Sequence, residues 1–152
     1  WITKRAVAAV AEALECTGGN GFVEESPLAR LYRDAPVNAI WEGSGNVQCL
    51  DVLRALARDP EAAPALLGEI RAGAAGEARL AALAADLETS LPAAVADERS
   101  ARRLVERLAT GLQASLLVRH APAAVADAFC ASRLAGQGGL FGGDVIAMPA
   151  LQ

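Results

Sequence analysis

Aromatic residues are scarce in this chain of 152 residues. Phe, Trp and Tyr together make up only 4% of it, although apolar residues make up 53%. A core with few rings must be built from Ala, Leu and Val, and chains rich in Ala and Leu favour helices that approach one another closely. The length is sufficient for one compact domain with its own core. The composition therefore favours a helical protein.

Cysteine, histidine and long apolar runs are also in short supply. The three cysteines, Cys16, Cys49 and Cys130, stand at spacings that fit neither a disulfide framework nor a zinc site. We expect buried thiols, and no metal. The only histidine, His120, stands at a predicted helix end without a partner in the sequence. No apolar run approaches the ~20 residues that span a bilayer, and no signal peptide opens the chain, which predicts a cytoplasmic protein without a membrane partner. Because the chain opens on Trp1 in what resembles the middle of a domain, we expect a fragment.

Apolar residues recur at helical spacing along most of the chain. The predicted helices cover about Thr3–Thr17, Ser26–Arg33, Asn46–Arg58, a segment after Asp59-Pro60-Glu61, a segment between Gly76 and a break or kink at Pro92, Ala94–Arg119, and a segment that Pro122 opens. No stretch alternates as a strand would. The fold prediction is all-α, most simply an up-down helical bundle, with an irregular glycine-rich tail from Gly136.

The segment from Gly18 to Asn46 carries the clearest chemical pattern. In it Glu42 lies between the apolar pair Ile40-Trp41 and the small residues Gly43-Ser44-Gly45. Apolar neighbours raise the pKa of a carboxyl group, and glycines let a substrate come close, so Glu42 is a candidate general base. A helix that begins near Asn46 also presents free backbone amides, which suit an anionic cofactor.

The run Gly18-Gly19-Asn20-Gly21 has two interpretations. It follows a predicted helix rather than a strand, so it is not a dinucleotide-binding fingerprint. From the residues alone, it is simplest as the end of a helix. The other interpretation, a contact with a cofactor, depends on a resemblance.

The motif Ile-Trp-Glu-Gly-Ser-Gly-Asn, with LARLYRDAP upstream, resembles the C-terminal domain of the acyl-CoA dehydrogenases. Within that family, the residues of the motif are most similar to those of the bacterial alkylation-response branch, which is related to isovaleryl-CoA dehydrogenase. The resemblance is nearly continuous from Gly18 to Asn46 and weakens beyond about Arg58. It implies an FAD-dependent oxidoreductase that oxidises a short or branched acyl-CoA between Cα and Cβ. In that reaction Glu42 would remove the α-proton, with Trp41 and Gly43 beside the substrate.

The resemblance also implies flavin contacts in two turns. Ser44 and Asn46 stand where the family usually has Thr and Gln, and both positions reach the flavin. At the glycine turn Gly19 would touch the flavin of a neighbouring subunit, and Glu15 stands where the family usually has Gln. The implied partners are acyl-CoA, the N-terminal and middle domains of the same protein, and further copies in a homo-oligomer. The fragment alone is predicted to be inactive.

The second part of the chain suggests an alternative function. We expect residues 1–58 to carry the base and the flavin-contact turns, and residues 59–152 to add helices packed on them. Four arginines fall on one side of the longest predicted helix, namely Arg99, Arg102, Arg103 and Arg107. They form either a solvated face or a stripe for duplex DNA, because the alkylation-response branch carries a C-terminal helical region implicated in DNA binding. The net charge of −4 argues against general affinity for nucleic acid.

Overall fold

The computed structural model describes residues 1–135, and within them the chain is helical without a strand. Residues 1–135 form eight α-helices in succession, with single 3-10 turns at Val37–Ala39, Ala74–Gly76 and Glu98–Ser100. They are α1 (Ile2–Cys16), α2 (Gly19–Phe22), α3 (Pro27–Asp34), α4 (Gly45–Arg58), α5 (Ala62–Ala72), α6 (Ala78–Ala96), α7 (Ala101–His120) and α8 (Ala123–Leu134). The all-α prediction is confirmed. The predicted glycine-rich tail from Gly136 lies outside the described residues. None of the helices in the described part of the chain is long and apolar enough to cross a bilayer.

The chain divides into two compact units, the first covering Trp1–Val52 and the second beginning at Leu53. In the first unit α1, α2 and α3 pack against one another, and α1 also contacts the 3-10 turn Val37–Ala39. Small residues such as Ala29 and Ala35 are buried there, which lets the short helices approach closely. The predicted domain boundary after residue 58 stays a prediction.

Helices α3 and α5 start where the sequence indicates, α3 with a side-chain cap and α5 after a turn closed by Asp59. The Ser26 hydroxyl accepts a hydrogen bond from the backbone N–H of Leu28 at 3.3 Å, and Pro27 opens the first turn of α3. The Asp59 carboxylate accepts from the N–H of Glu61 at 2.9 Å, just before α5. Both helix starts are confirmed.

In the second unit α5, α6, α7 and α8 pack around an aliphatic core. Its fully buried side chains include Ile70, Leu80, Leu87 and Cys130. Gly73 makes the closest approach, because a Cβ there would lie 2.5 Å from the Cα of Ser115 on α7. The Ser115 hydroxyl donates to the carbonyl oxygen of Glu69 at 2.5 Å. Because Gly73 has no side chain and Ser115 has a small one, the backbones of α5 and α7 approach each other closely at this point.

One helix boundary was predicted wrongly. Helix α6 continues past Pro92 and ends at Ala96, so the predicted helix Ala94–Arg119 begins only at Ala101. The reason is Asp97, whose carboxylate accepts a hydrogen bond from the N–H of Arg99 at 3.0 Å and so starts a new turn. A local capping bond here sets the boundary that the proline was expected to set.

Candidate functional site

Glu42 lies in a tight turn between the 3-10 turn Val37–Ala39 and α4. The N–H of Trp41 donates to the carbonyl of Val37 at 3.0 Å, and the N–H of Gly43 donates to that of Ile40 at 3.0 Å. Gly43 has φ of +114°, a conformation that L side chains rarely adopt. The glycine after the acid is therefore required by the backbone of the turn.

Gln48, one turn into α4, holds this turn and was missed by sequence reasoning. Its side-chain Nε2 donates to the backbone carbonyl of Glu42 at 2.7 Å. Its own N–H donates to the carbonyl of Ser44 at 3.1 Å, as the first helical bond of α4. A Cβ on Gly43 would lie 3.1 Å from Nε2, so glycine there also leaves room for the amide.

The apolar residues before Glu42 do not enclose it. Ile40 is 63% exposed and Trp41 is 65% exposed, and Glu42 is itself exposed. Exposed aromatic and aliphatic side chains beside a carboxylate form a surface that another protein segment or a ligand can cover. The apolar environment that a general base needs is therefore not supplied by the described residues alone.

The glycine turn contains glycines with different roles. Gly18 has φ of +59°, directly after the C-cap Thr17 of α1, so the interpretation as a helix end is confirmed. A Cβ at Gly21 would lie 2.6 Å from the carbonyl oxygen of Leu14, so the packing of α2 on α1 excludes any larger residue. A Cβ at Gly19 would meet no atom of the described chain within 4 Å. The fold therefore gives no reason for glycine at position 19.

An apolar cavity of about 650 Å³ opens beside this turn. Its lining residues are Ala11, Leu14, Glu15, Gly18, Gly19, Phe22 and Tyr32. Phe22 is 76% exposed, so an aromatic ring stands free at the edge of the cavity. Glu15 and Gly19, predicted together from the sequence, are thus brought to one site.

The other two candidate flavin contacts, Ser44 and Asn46, lie elsewhere in the first unit. They flank Gly45, where a Cβ would lie 3.6 Å from the Lys4 side chain near the start of α1. Glu15 lies near the other end of α1, and at a rise of 1.5 Å per residue the two ends are about 17 Å apart. The structure therefore places the two groups of candidate contacts at opposite ends of one helix.

Comparison with known proteins identifies this unit. Residues 1–57 match the family described as acyl-CoA dehydrogenase, C-terminal domain. Residues 1–57 are therefore an acyl-CoA dehydrogenase C-terminal domain. Putative acyl-CoA dehydrogenase AidB of Escherichia coli K12 is 66% identical over 55 residues, which cover 36% of this chain and 10% of that protein. Acyl-CoA dehydrogenase family member 11 of Caenorhabditis elegans is 55% identical over 51 residues, which cover 34% and 8%.

A third relative matches beyond the acyl-CoA dehydrogenase C-terminal domain. The 3-methylmercaptopropionyl-CoA dehydrogenase of Ruegeria pomeroyi is 33% identical over 148 residues, which cover 82% of this chain and 25% of that protein. The chain thus spans a quarter or less of the length of these relatives. The predicted resemblance is confirmed, and Glu42, Gly43, Ser44 and Asn46 all lie inside the matched domain.

Arg33 does not support the Glu42 turn of this acyl-CoA dehydrogenase domain. Its guanidinium instead forms two hydrogen bonds with the Glu24 carboxylate, at 2.7 and 2.9 Å, which hold the pKa of Glu24 below its usual value. Arg30 pairs with Asp34 at 3.5 Å along α3. All four side chains are exposed, so both are surface ion pairs.

The predicted arginine stripe lies outside the matched acyl-CoA dehydrogenase domain, and it does not lie on one helix, because Arg99 belongs to the 3-10 turn Glu98–Ser100 before α7. Two of its four members are already paired. Arg99 binds the Asp97 carboxylate at 2.9 Å, and Arg107 forms an ion pair with Asp86. Arg102 and Arg103 are exposed and make no ion pair with any residue in positions 1–135. Half of the predicted stripe is therefore neutralised by neighbouring carboxylates.

The three cysteines differ in burial. Cys130 is fully buried, and burial raises the pKa of its thiol. Cys49 is half-buried and Cys16 is exposed, so the expectation of buried thiols is wrong for Cys16. Cys16 is the last residue of α1, a helix without a buried residue. Across residues 1–135 no group of three or more His, Cys, Asp and Glu side chains could hold a metal ion.

Proposed function

We propose that this chain carries the catalytic base of an FAD-dependent acyl-CoA dehydrogenase, which oxidises a short or branched acyl-CoA between Cα and Cβ. The observation that carries the proposal is the Glu42 turn, with its positive-φ Gly43 and its bond to Gln48. The turn lies within the domain that matches the acyl-CoA dehydrogenases.

Glu42 is suited to accept a proton from a bound substrate. No ion pair within the described part of the chain neutralises its carboxylate, so it stays available as a base. The α-proton of an acyl thioester is weakly acidic, and its removal needs a base fixed at short range in a dry site. The exposed Ile40 and Trp41 would provide one apolar wall of that site, and Gly43 lets the substrate approach the turn.

The residues around both turns fit a flavin. Bound FAD would accept the hydride from the β-carbon. The open space at Gly19 and the apolar cavity with Phe22 and Tyr32 suit a flat ring system. The Glu15 carboxylate in the same cavity would repel a diphosphate, so this turn suits a ring rather than the phosphates. Near the start of α4, the exposed Ser44 and Asn46 add a hydroxyl and an amide beside free backbone amides.

The distance between the glycine turn and the Glu42 turn supports an enzyme built from several domains and several copies of the protein. Because the two turns lie about 17 Å apart along α1, a single small group cannot touch both. An elongated cofactor, or two cofactors bound by different copies of the protein, would satisfy both groups of contacts. We therefore include in the proposal the N-terminal and middle domains of the same protein and a homo-oligomer.

Replacing Glu42 in the full-length protein tests the proposal. We expect Glu42→Gln to retain FAD and to slow the bleaching of the flavin by acyl-CoA about 10²- to 10⁴-fold, the usual contribution of a general base. The measurement is anaerobic stopped-flow absorbance of the flavin. Glu25→Gln, an exposed acid of the same unit, is the matched control and should react at the normal rate. Unchanged bleaching in Glu42→Gln would refute the proposal.

Duplex DNA binding by α7 is the alternative function. The observation in its favour is that Arg102 and Arg103 are exposed and form no ion pair among residues 1–135. The observation against it is the neutralisation of Arg99 and Arg107 by Asp97 and Asp86. With only two arginines left for phosphate contacts, the structure favours the dehydrogenase as the main function.

A further inference from the structure

We propose that Gln48 is a positioning residue that holds in place the backbone from which the Glu42 carboxylate extends. The inference rests on the proposed function, because it concerns the same proton transfer. Gln48 does not need to touch the substrate. It would act through the backbone of the Glu42 turn.

The first step of the argument is that Glu42 depends on its backbone for its position. Its side chain is exposed, and in residues 1–135 no ion pair orients the carboxylate. The next residue, Gly43, has no Cβ and so can occupy many backbone conformations at similar energy. The N–H of Gly43 already binds the carbonyl of Ile40 at 3.0 Å, so the peptide unit between Glu42 and Gly43 is held on its N–H side, and its carbonyl side needs a second contact.

The second step is that Gln48 supplies such a contact. Its Nε2 donates to the carbonyl oxygen of Glu42 at 2.7 Å, across six residues. Together with the bond from the Gly43 N–H to Ile40, that bond holds both sides of the peptide that follows Glu42, and so restrains the Cα from which the side chain extends. The close approach of Nε2 to Gly43, 3.1 Å from a Cβ built there, shows that the amide fills the inner side of the turn.

The third step is that Gln48 is itself held firmly. Its N–H donates to the carbonyl of Ser44 at 3.1 Å, so its Cα belongs to the first turn of α4. The side chain therefore reaches back from a regular helix to a turn without regular structure. A helix can in this way transmit its rigidity to a catalytic loop, and a misplacement of 1 Å at such a site can cost about 10²-fold in rate.

The test uses Gln48→Met in the full-length protein, which keeps the size of the side chain and removes the donor. We expect the limiting rate of flavin reduction to fall about 10- to 100-fold. The dissociation constant for acyl-CoA should change less than about threefold, since Gln48 acts on the base and not on binding. FAD content and melting temperature should match those of the unaltered protein. Gln113→Met, the same exchange in the second unit, is the control.

A second variant, Gln48→Glu, should show a pH dependence of the rate that a merely structural role of Gln48 would not produce. Glutamate at position 48 has the same shape, but its carboxylate cannot donate to the Glu42 carbonyl until it is protonated. The rate of Gln48→Glu relative to the unaltered protein should therefore rise as the pH falls from about 8 to about 5, towards the usual Glu pKa. The relative rate of Gln48→Met should stay flat. If Gln48→Met does not fold, Gln48→Glu alone decides.

The outcomes separate the two proposals. A normal reduction rate in Gln48→Met, together with an inactive Glu42→Gln, would overturn the role of Gln48 and leave the proposed function standing. An active Glu42→Gln would overturn the proposed function itself. A loss of rate in Gln48→Met that only follows a loss of FAD or of thermal stability would also overturn the positioning role.

Discussion

Glycines in the first unit illustrate how one residue type serves different purposes. Gly18 and Gly43 are required by positive φ angles, and Gly21 is required because α2 packs against the carbonyl of Leu14. Gly19 has neither reason, since a Cβ would meet no atom of the described chain within 4 Å. A glycine without a structural reason, beside an apolar cavity, suggests that a ligand comes close at that point.

Exchanging Gly19 and Gly21 for Ala should separate these reasons. We expect Gly19→Ala to leave the thermal unfolding of the 152-residue chain unchanged and to weaken FAD binding by the full-length protein about tenfold, because a clash of about 1–3 kcal/mol is typical of overpacking. Gly21→Ala should instead lower the melting temperature, since its Cβ would lie 2.6 Å from the Leu14 oxygen. Calorimetry and flavin fluorescence measure the two effects. Normal FAD affinity in Gly19→Ala would contradict the assigned contact.

At the scale of single residues, the sequence predicted the features that depend on neighbouring residues, such as helix starts. It missed a hydrogen bond that depends on the backbone conformation of a turn. Ser26 and Asp59 stand at the predicted starts of α3 and α5, and their side-chain bonds reach only two residues ahead. Glu42 was identified because its neighbours carry a family motif. Gln48 could not be identified in this way, because its bond exists only once Gly43 adopts a positive φ and turns the Glu42 carbonyl towards α4.

At the scale of elements, α7 shows why helical spacing alone overstates a charged stripe. Periodicity placed four arginines on one side of the helix, but it could not show that Asp97 ends the preceding helix and then pairs with Arg99. Nor could it show that Asp86, on α6, reaches Arg107 across the helix pair. Partners from neighbouring elements are set by packing, which a single-helix pattern does not contain.

Salt dependence should distinguish the two halves of this arginine face. We expect the isolated chain to show little affinity for duplex DNA at physiological ionic strength, and weak binding only at low salt. If Arg102 and Arg103 contact phosphates, exchanging both for Ala should reduce the slope of log affinity against log salt by about 2, at roughly 0.9 per contact. The matched exchange of Arg99 and Arg107 should change the slope less, because Asp97 and Asp86 already neutralise them. Fluorescence anisotropy provides the measurement.

One result of this titration would reverse the order of the two functions. Tight DNA binding that survives physiological salt and is lost when Arg102 and Arg103 are exchanged would place DNA binding ahead of the dehydrogenase. Binding of equal strength in all variants would instead exclude the arginine face as the site.

At the scale of the whole molecule, the two compact units have different relations to function. The candidate base and flavin contacts all lie in the unit Trp1–Val52, within the matched acyl-CoA dehydrogenase domain. The second unit has its own aliphatic core and so can be stable without a cofactor. The first unit buries only small apolar residues and exposes large ones, including Phe22, Ile40 and Trp41. Its exposed apolar surface is what a partner domain or subunit would cover.

The isolated chain should therefore fold but neither bind FAD tightly nor catalyse the reaction. It offers Gly19, Ser44 and Asn46 on exposed surfaces, and the contacts near Gly19 and those near α4 lie about 17 Å apart along α1. A cofactor held on one side only loses most of its buried area, and with it most of its binding free energy. Dialysis of the purified chain against FAD, followed by an absorbance spectrum, measures the bound flavin, and circular dichroism confirms that the chain is helical. We expect a colourless helical protein. A stable yellow chain with one flavin per molecule would show that these contacts form a complete site.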